Sequence, residues 1–474
     1  MKPSDLQPLF IKPIDYQIDS AALVACLTDL PRLVFLDSNF PSNNSQRFDI
    51  ISAAPTKQIT TRDKITEVNS TTTRLSFTSN PFQILKSELN LLSDADPGLV
   101  DLPFYGGAIG YFGYDLARYF YPFKGSTKND IDIPDMDIGI YLWALIRDHK
   151  LSRAYFVAHP DCPLPLRRDV LKRLAQYRTE AHKPFRVTSP FQSNLTRCEY
   201  DQKYQEIINY IRAGDCYQVN FSQRFHASYT GDEWTAYLRL RASTDAPFSA
   251  FIKTQDCTLL CLSPERFIQL QAGKVETRPI KGTRPRSDNP QKDLQYAQLL
   301  RNSPKDIAEN LMIVDLLRND LSKNCQLGSV SVPALFEVEA YSNVYHLVST
   351  ILGELSPDKH ALDLLEGAFP GGSITGAPKK RAMEIIEELE PHRRTIYCGS
   401  IGYINCNGNM DTNIAIRTVA CKNNTLYCWG GGGIVSDSDA ENEYHESYVK
   451  VAHLMKILTS IKCFEQTGQA NDRP

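Results

Sequence analysis

Short β-rich runs and amphipathic helical stretches interleave along these 474 residues at irregular intervals, and that irregularity constrains the fold most. A doubly wound sheet or a TIM barrel needs a crossover helix after each parallel strand, hence a regular strand-helix alternation. That alternation is absent. The expected class is therefore α+β, a large composite fold of layered antiparallel sheets flanked by helices. A chain this long exceeds the size at which single cores stop growing, so two regions are expected. Residues 1–185 form the first, carrying runs such as Leu33-Val34-Phe35-Leu36 and Ile138 to Trp143. Between Ala181 and Thr196 the pattern dissolves into Lys183-Pro184, Ser189-Pro190 and Gln192-Ser193-Asn194, a crossing segment. Residues 196–465 form the second region. The polar stretch 466–474 is expected to be a disordered tail.

Within the second region, helices are expected around Tyr200 to Ala213 and Lys292 to Leu317, with strands around Asn220 to Phe225 and Thr258 to Leu270. On the helix opening near Pro304, Asp306 and Glu309 stand three apart and share a face. A helix opening near Asp437 carries Glu443, Glu446 and Lys450 in one narrow stripe bordering the face of Tyr444, Tyr448, Val451, Leu454, Met455 and Leu458. Two helices each presenting a carboxylate pair suit a hard, oxygen-ligated cation such as Mg²⁺. On spacing alone, the pairs read as ordinary solvated helix faces, because charged i, i+3 pairs are common on exposed helices.

The run Phe369 to Lys380 is a Gly-rich loop feeding a helix, with Pro378 at its start. It is not a Walker A loop, because Gly376 is followed by Ala377-Pro378 where Lys and Ser or Thr should stand. Nucleotide hydrolysis is disfavoured. A second Gly-rich loop, Gly430 to Gly433, leads into the acidic helix and offers backbone N–H groups to a ligand. Lys281, between Ile280 and Gly282, would be a nucleophile if burial lowered its pKa, although a lone Lys is ordinarily a solvated charge.

A net charge of −3 supplies no field for nucleic acid or anionic membrane. No uninterrupted apolar run reaches bilayer length and no signal peptide opens the chain, so a cytoplasmic location is expected. The 12 Cys include no zinc-like C-x2-C set, and reduced thiols are expected.

Ser263-Pro264-Glu265-Arg266-Phe267, Ala308 to Met312, Gly371 to Pro378, Asp411-Thr412, Ile416-Arg417-Thr418 and the Gly430 run, in this order, resemble the chorismate-binding enzymes. The similarity spans the C-terminal 270 residues or so. The first 185 residues also resemble the amino-terminal domain of that family's anthranilate synthase component I members. The resemblance implies that Glu309 and Glu446 ligate Mg²⁺, with Asp306 and Glu443 nearby through water. It implies that Arg417 and Tyr403 hold the enolpyruvyl carboxylate of chorismate, assisted by Gly431, Gly432, Gly433 and Lys450. Thr375, Thr283, Gln218 and His346 complete the implied substrate pocket, although a core role for His346 stays open. Gln218 stands where the water-adding branch carries a Lys, so no water-activating base is expected there.

Lys281 stands where other branches usually have Ala. Lys281 as nucleophile and Glu265 as general acid are therefore implied, giving 4-amino-4-deoxychorismate from chorismate and ammonia, on the way to 4-aminobenzoate and folate. The alternatives are an anthranilate-forming enzyme and a non-catalytic, amino-acid-sensing subunit. No glutaminase arrangement is recognisable, so a heterodimer with a glutamine amidotransferase component II is implied. A tryptophan pocket around Ser38, Ser45, Arg47 and Phe48 is implied for the first region. Trp429 departs from the pattern, since relatives commonly have a small residue before the Gly run.

Overall fold

The computed structural model describes residues 6–41, 46–98, 100–123, 125, 127–176, 183–341 and 344–461. Ser45 and the stretch 466–474 lie outside the described residues. Two large sheets dominate, one of 12 and one of 13 strands, and every pairing within them is antiparallel. The α+β expectation holds.

Both sheets draw strands from either side of residue 190. Gly107–Phe112 lies between Met136–Tyr141 and Ser400–Asn405 in the 12-stranded sheet. Val34–Asp37 lies between Phe48–Ser52 and Phe248–Lys253 in the 13-stranded sheet. The crossing segment therefore joins contributors to shared sheets. One continuous apolar core runs between the layers, with Phe35, Tyr111, Trp143 and Leu260 among its buried members.

Two chain crossings between the sheets place the chemistry. The stretch expected as one strand, Thr258 to Leu270, is two: Thr258–Ser263 belongs to the 13-stranded sheet and Arg266–Gln271 to the 12-stranded one. Pro264 lacks the N–H a central strand must donate, so the ladder breaks there and Glu265 sits in the gap. The second crossing runs from Met410–Asn413 to Thr418–Lys422 and holds Arg417. The crossings are tied side by side: the Ser263 hydroxyl donates to the Ile414 carbonyl at 2.6 Å, and the Ile414 N–H to the Glu265 carbonyl at 3.0 Å.

The four consecutive glycines, expected as a loop, belong to the strand Thr425–Ile434. That strand pairs with Gln218–Gly231 from Val219↔Ile434 to Ser228↔Thr425. The reason for glycine is steric rather than conformational, because side chains would collide with what packs on the strand. A Cβ on Gly430 would strike the Ser447 carbonyl, one on Gly432 the Glu443 carboxylate, and one on Gly433 the Gln218 amide. The bare strand admits the last helix, Ala440–Ser460, onto its face. Asp439 caps that helix, its side chain accepting from the Asn442 N–H at 3.1 Å. Its Glu443, Ser447, Val451, Leu454, Met455 and Leu458 are buried, whereas Tyr448 is exposed, its ring edge-on to Phe225. The other acidic helix is Pro304–Ser322, with Pro304 in its first turn and Ser303 as its cap.

Candidate active site

Lys281 lies on the strand Ile280–Pro285, next to Val344–Glu354. The side chain is half-buried, and its ammonium donates to the Ser373 carbonyl at 3.0 Å. Burial pulls its pKa below the ordinary lysine value, against the opposing pull of Glu309 and Glu265. Glu265 is buried at 6% exposure, and its Oε1 accepts from the Ser373 hydroxyl at 2.8 Å. Burial raises its pKa above the usual carboxylate range, with Lys281 and Ser373 pulling the other way. A lysine drifting toward its neutral form thus stands one residue away from a carboxylate drifting toward its acid form. That is the pairing a nucleophile and a general acid require.

Arg417 is half-buried, and among the described residues it has no carboxylate partner. Burial lowers its pKa. Beside it, His346 bonds the Thr283 hydroxyl through Nδ1 at 2.9 Å. Burial and then Arg417 push the His346 pKa down to about 4, so the ring is neutral at ordinary pH. Gln218 is buried, with its Oε1 unsatisfied. Lys450, at the open rim, donates to the Gly431 carbonyl at 2.8 Å and pairs with Glu446 at 2.7 Å.

The carboxylates gather only in part. Glu443 is buried; its Oε1 accepts from the Ser438 hydroxyl at 2.7 Å, while its Oε2 has no partner. Lys305 reaches Glu443 at 3.4 Å and Glu309 at 3.9 Å. Burial raises the pKa of both Glu443 and Glu309. Asp306 is taken up by Arg284 at 3.0 Å. Among the described residues no three potential ligands already converge as a coordination set. The donors nonetheless fit a hard cation, because they are all oxygen, one buried oxygen is orphaned, and an ammonium already provides positive charge among them.

Two expected residues make their contacts elsewhere. Tyr403 lines a second site, a cavity of about 310 Å³, together with Ser38, Arg47, Phe48, Arg266 and Asp411. Its ring is edge-on to Phe104, and it is not part of the Lys281 cluster. Thr375 is fully buried, and its hydroxyl donates to the Gly371 and Gly372 carbonyls, so it braces the loop. In the second site Ser38 donates to Asp49 at 2.6 Å, and Arg47 pairs with Asp148 at 2.7 Å and stacks on Phe48 at 4.5 Å.

Residues 35–456 match the family described as chorismate binding enzyme. This chain belongs to that family. Chorismate-binding relatives include aminodeoxychorismate synthase component 1 of Salmonella typhimurium, 50% identical over 92% of this chain and 94% of that protein. The protein of that name from Escherichia coli is 48% identical over 91% and 94%. Anthranilate synthase component 1 of Lactococcus lactis is 35% identical over 90% and 94%. Among solved structures, anthranilate synthase component I from Streptococcus pneumoniae superposes with a TM-score of 0.78 at 31% identity, covering 87% of this chain and 93% of that one. The menaquinone-specific isochorismate synthase of Escherichia coli shares the fold at a TM-score of 0.72 and 15% identity, over 95% and 94% of the two chains.

Two residues of the Lys281 cluster and its carboxylates escape sequence reasoning. Ser373 bridges Lys281 and Glu265 but is concealed inside a Gly-rich run. Lys305 reads as an ordinary first-turn charge. Tyr397 is buried and stacks on Trp429 of the Gly strand, with ring centroids 6.0 Å apart. The stack also accounts for the large residue at 429. Among the described residues the cysteines other than Cys26 form no disulfide, and no helix is long and apolar enough to cross a membrane.

Proposed function

We propose that this chain converts chorismate and ammonia into 4-amino-4-deoxychorismate, acting as component I of an aminodeoxychorismate synthase. The observation that carries the reading is the Lys281–Ser373–Glu265 chain at 3.0 and 2.8 Å, a half-buried nucleophile held beside a buried acid. The names of relatives 48 and 50% identical support it.

Chorismate is a dianion, and the unpaired Arg417 is matched to one of its carboxylates through a planar fork. Glu309, Glu443 and Glu446 would hold Mg²⁺, with Asp306 close by. Bound there, the ion supplies the positive charge that lets a second carboxylate approach an acidic cluster. The neutral Lys281 amine attacks C2, the ring double bonds shift, and the C4–O bond breaks. Glu265 delivers its proton to the departing hydroxyl, which leaves as water. Ammonia then adds at C4 as the C2–N bond to Lys281 breaks, and the new ammonium returns a proton to the Glu265 carboxylate. The enolpyruvyl group stays on the ring. Gln218, an amide, cannot serve as the base that would activate water, and the neutral His346 is suited to hydrogen bonding rather than proton transfer.

The ammonia source in this reading is a separate glutamine amidotransferase. The second site, with Ser38, Arg47 and Phe48 on its wall, is proposed to hold tryptophan; its mix of Phe248, Arg266 and Asp411 offers an apolar face and both charge signs to an amino acid. The deciding experiment incubates purified chain with chorismate, Mg²⁺ and ammonium, followed by mass analysis and a pyruvate assay. The expected product is aminodeoxychorismate without pyruvate. Anthranilate with stoichiometric pyruvate would place the chain in the other aminating branch.

A further inference from the structure

The turn between the two reacting groups is more than a connector. Ser373 lies in the 3-10 turn Gly372–Ile374, is 8% exposed, and touches both groups with different atoms. Its backbone carbonyl accepts from Lys281 and its hydroxyl donates to Glu265 Oε1. We propose that Ser373 is a positioning residue that selects which oxygen of Glu265 carries the transferable proton and sets the direction of the Lys281 lone pair. The inference rests on the function proposed above.

A serine hydroxyl has one hydrogen. When it donates to Oε1, that oxygen cannot also present a proton toward Ser373, so the acidic hydrogen of Glu265 sits on Oε2. An amine with one N–H fixed on the Ser373 carbonyl has its lone pair confined to a cone facing away from it. One residue thereby relates the attack at C2 to the proton delivery at C4, the two ends of a single displacement across the ring.

The turn is rigid enough for this. The Ile374 carbonyl accepts from Arg394 Nη1 at 3.0 Å, and Arg394, 2% exposed, is paired with Glu390 at 2.7 Å and reaches the Asn220 carbonyl at 2.7 Å. Thr375 bonds back to the Gly371 carbonyl at 3.1 Å. Ser373 is therefore clamped from its C-terminal side by a buried ion pair.

The test uses full-length Ser373→Ala and Ser373→Thr. Alanine keeps the carbonyl that orients Lys281 and removes only the donor to Glu265. The charged groups facing Glu265 are Lys281 on the neighbouring strand and Lys450 on the last helix, and both remain in the variants. Expected for Ser373→Ala are chorismate binding within about twofold of wild type, turnover lower by about 10- to 100-fold, and an alkaline limb of the kcat/KM profile displaced to higher pH, since the carboxylate anion loses a donor. Ser373→Thr restores most of the rate and the original limb. An unchanged rate and profile in Ser373→Ala would overturn the proposal. So would a rate loss with no movement of the limb and no rescue by Thr, which marks a purely structural residue. Should the Ala variant not fold, Ser373→Cys, of similar shape with a weak donor, is expected to show the same direction of change. Wild-type chain that turns over no chorismate with ammonium would sink the function itself and this inference with it. An active wild type beside an unaffected Ser373→Ala sinks the inference alone.

Discussion

The Lys281 cluster and the second site, the cavity lined by Tyr403, hold the same kinds of residue and treat them in opposite ways. Around Lys281 polar groups are left unspent: Arg417 has no carboxylate among the described residues, and Glu443 Oε2 and Gln218 Oε1 have no hydrogen-bond partner. Around the second site they are already matched. Arg266 pairs with Asp411 at 3.0 Å and Glu276 at 2.7 Å, Arg47 with Asp148, and Ser38 with Asp49. An unpaired buried polar group destabilises the empty protein, and a ligand that pairs with it removes that cost. The contrast separates a site organised around a charged, reacting ligand from one that is complete without its guest.

The largest expected effect is at Lys281. Lys281→Ala should abolish the mass of a chorismate adduct and cut turnover by about 10³-fold or more; a surviving adduct would remove the nucleophile from the Lys281 side of the contrast. Next come the two arginines. Arg417→Ala should raise the KM for chorismate by about 10²-fold with an unchanged melting temperature, because no native partner is lost. Arg47→Ala should leave that KM alone and destabilise the fold by about 1–2 kcal/mol, since Asp148 is stranded. The reverse pattern would erase the distinction between the two sites.

Third is the acidic cluster. Glu443→Gln should weaken Mg²⁺ binding in a calorimetric titration, whereas Lys305→Met should strengthen it by several-fold to about tenfold, the ammonium being a competitor for the same charge. Equal Mg²⁺ affinity in both variants and wild type would mean the orphaned oxygen awaits something else. The last effect concerns His346, away from the reacting groups. Its folded pKa of about 4 lies below the ordinary imidazole value, so the linked stability is present above pH 6.5 and is lost as pH falls toward 4, by about 3 kcal/mol at most. Melting curves between pH 7 and 4 should show a shallower slope in His346→Gln.

Local spacing made much of this legible. Helix starts near Pro304 and Asp437 placed both acidic helices, and i, i+3 carboxylates told which faces they share. Long-range pairing stayed hidden. Nothing in Thr258 to Leu270 reveals that the chain changes sheets at Pro264, because only the partners of each half, Thr418–Lys422 and Met410–Asn413, define the break. Four glycines read as a loop because a sequence cannot announce that a helix and its carboxylates will lie against a bare strand. Tyr397 and Tyr403 stand on either side of a strand start at Ser400, and one-dimensional spacing does not say which ring stacks on Trp429 and which lines the second site. Ser373 required a contact between segments 92 residues apart.

The shared sheets also set a timetable for making the protein. Tyr105, beside the early strand Gly107–Phe112, is held by Asn405, 300 residues further on. At about 5–20 residues per second of synthesis, that strand waits on the order of 15–60 s for its last neighbour to leave the ribosome. Throughout that interval a fully apolar strand keeps one edge open. The nascent chain thus stays open to mispairing while the first acidic helix, Pro304–Ser322, is being added, and until Ser400–Asn405 has followed it.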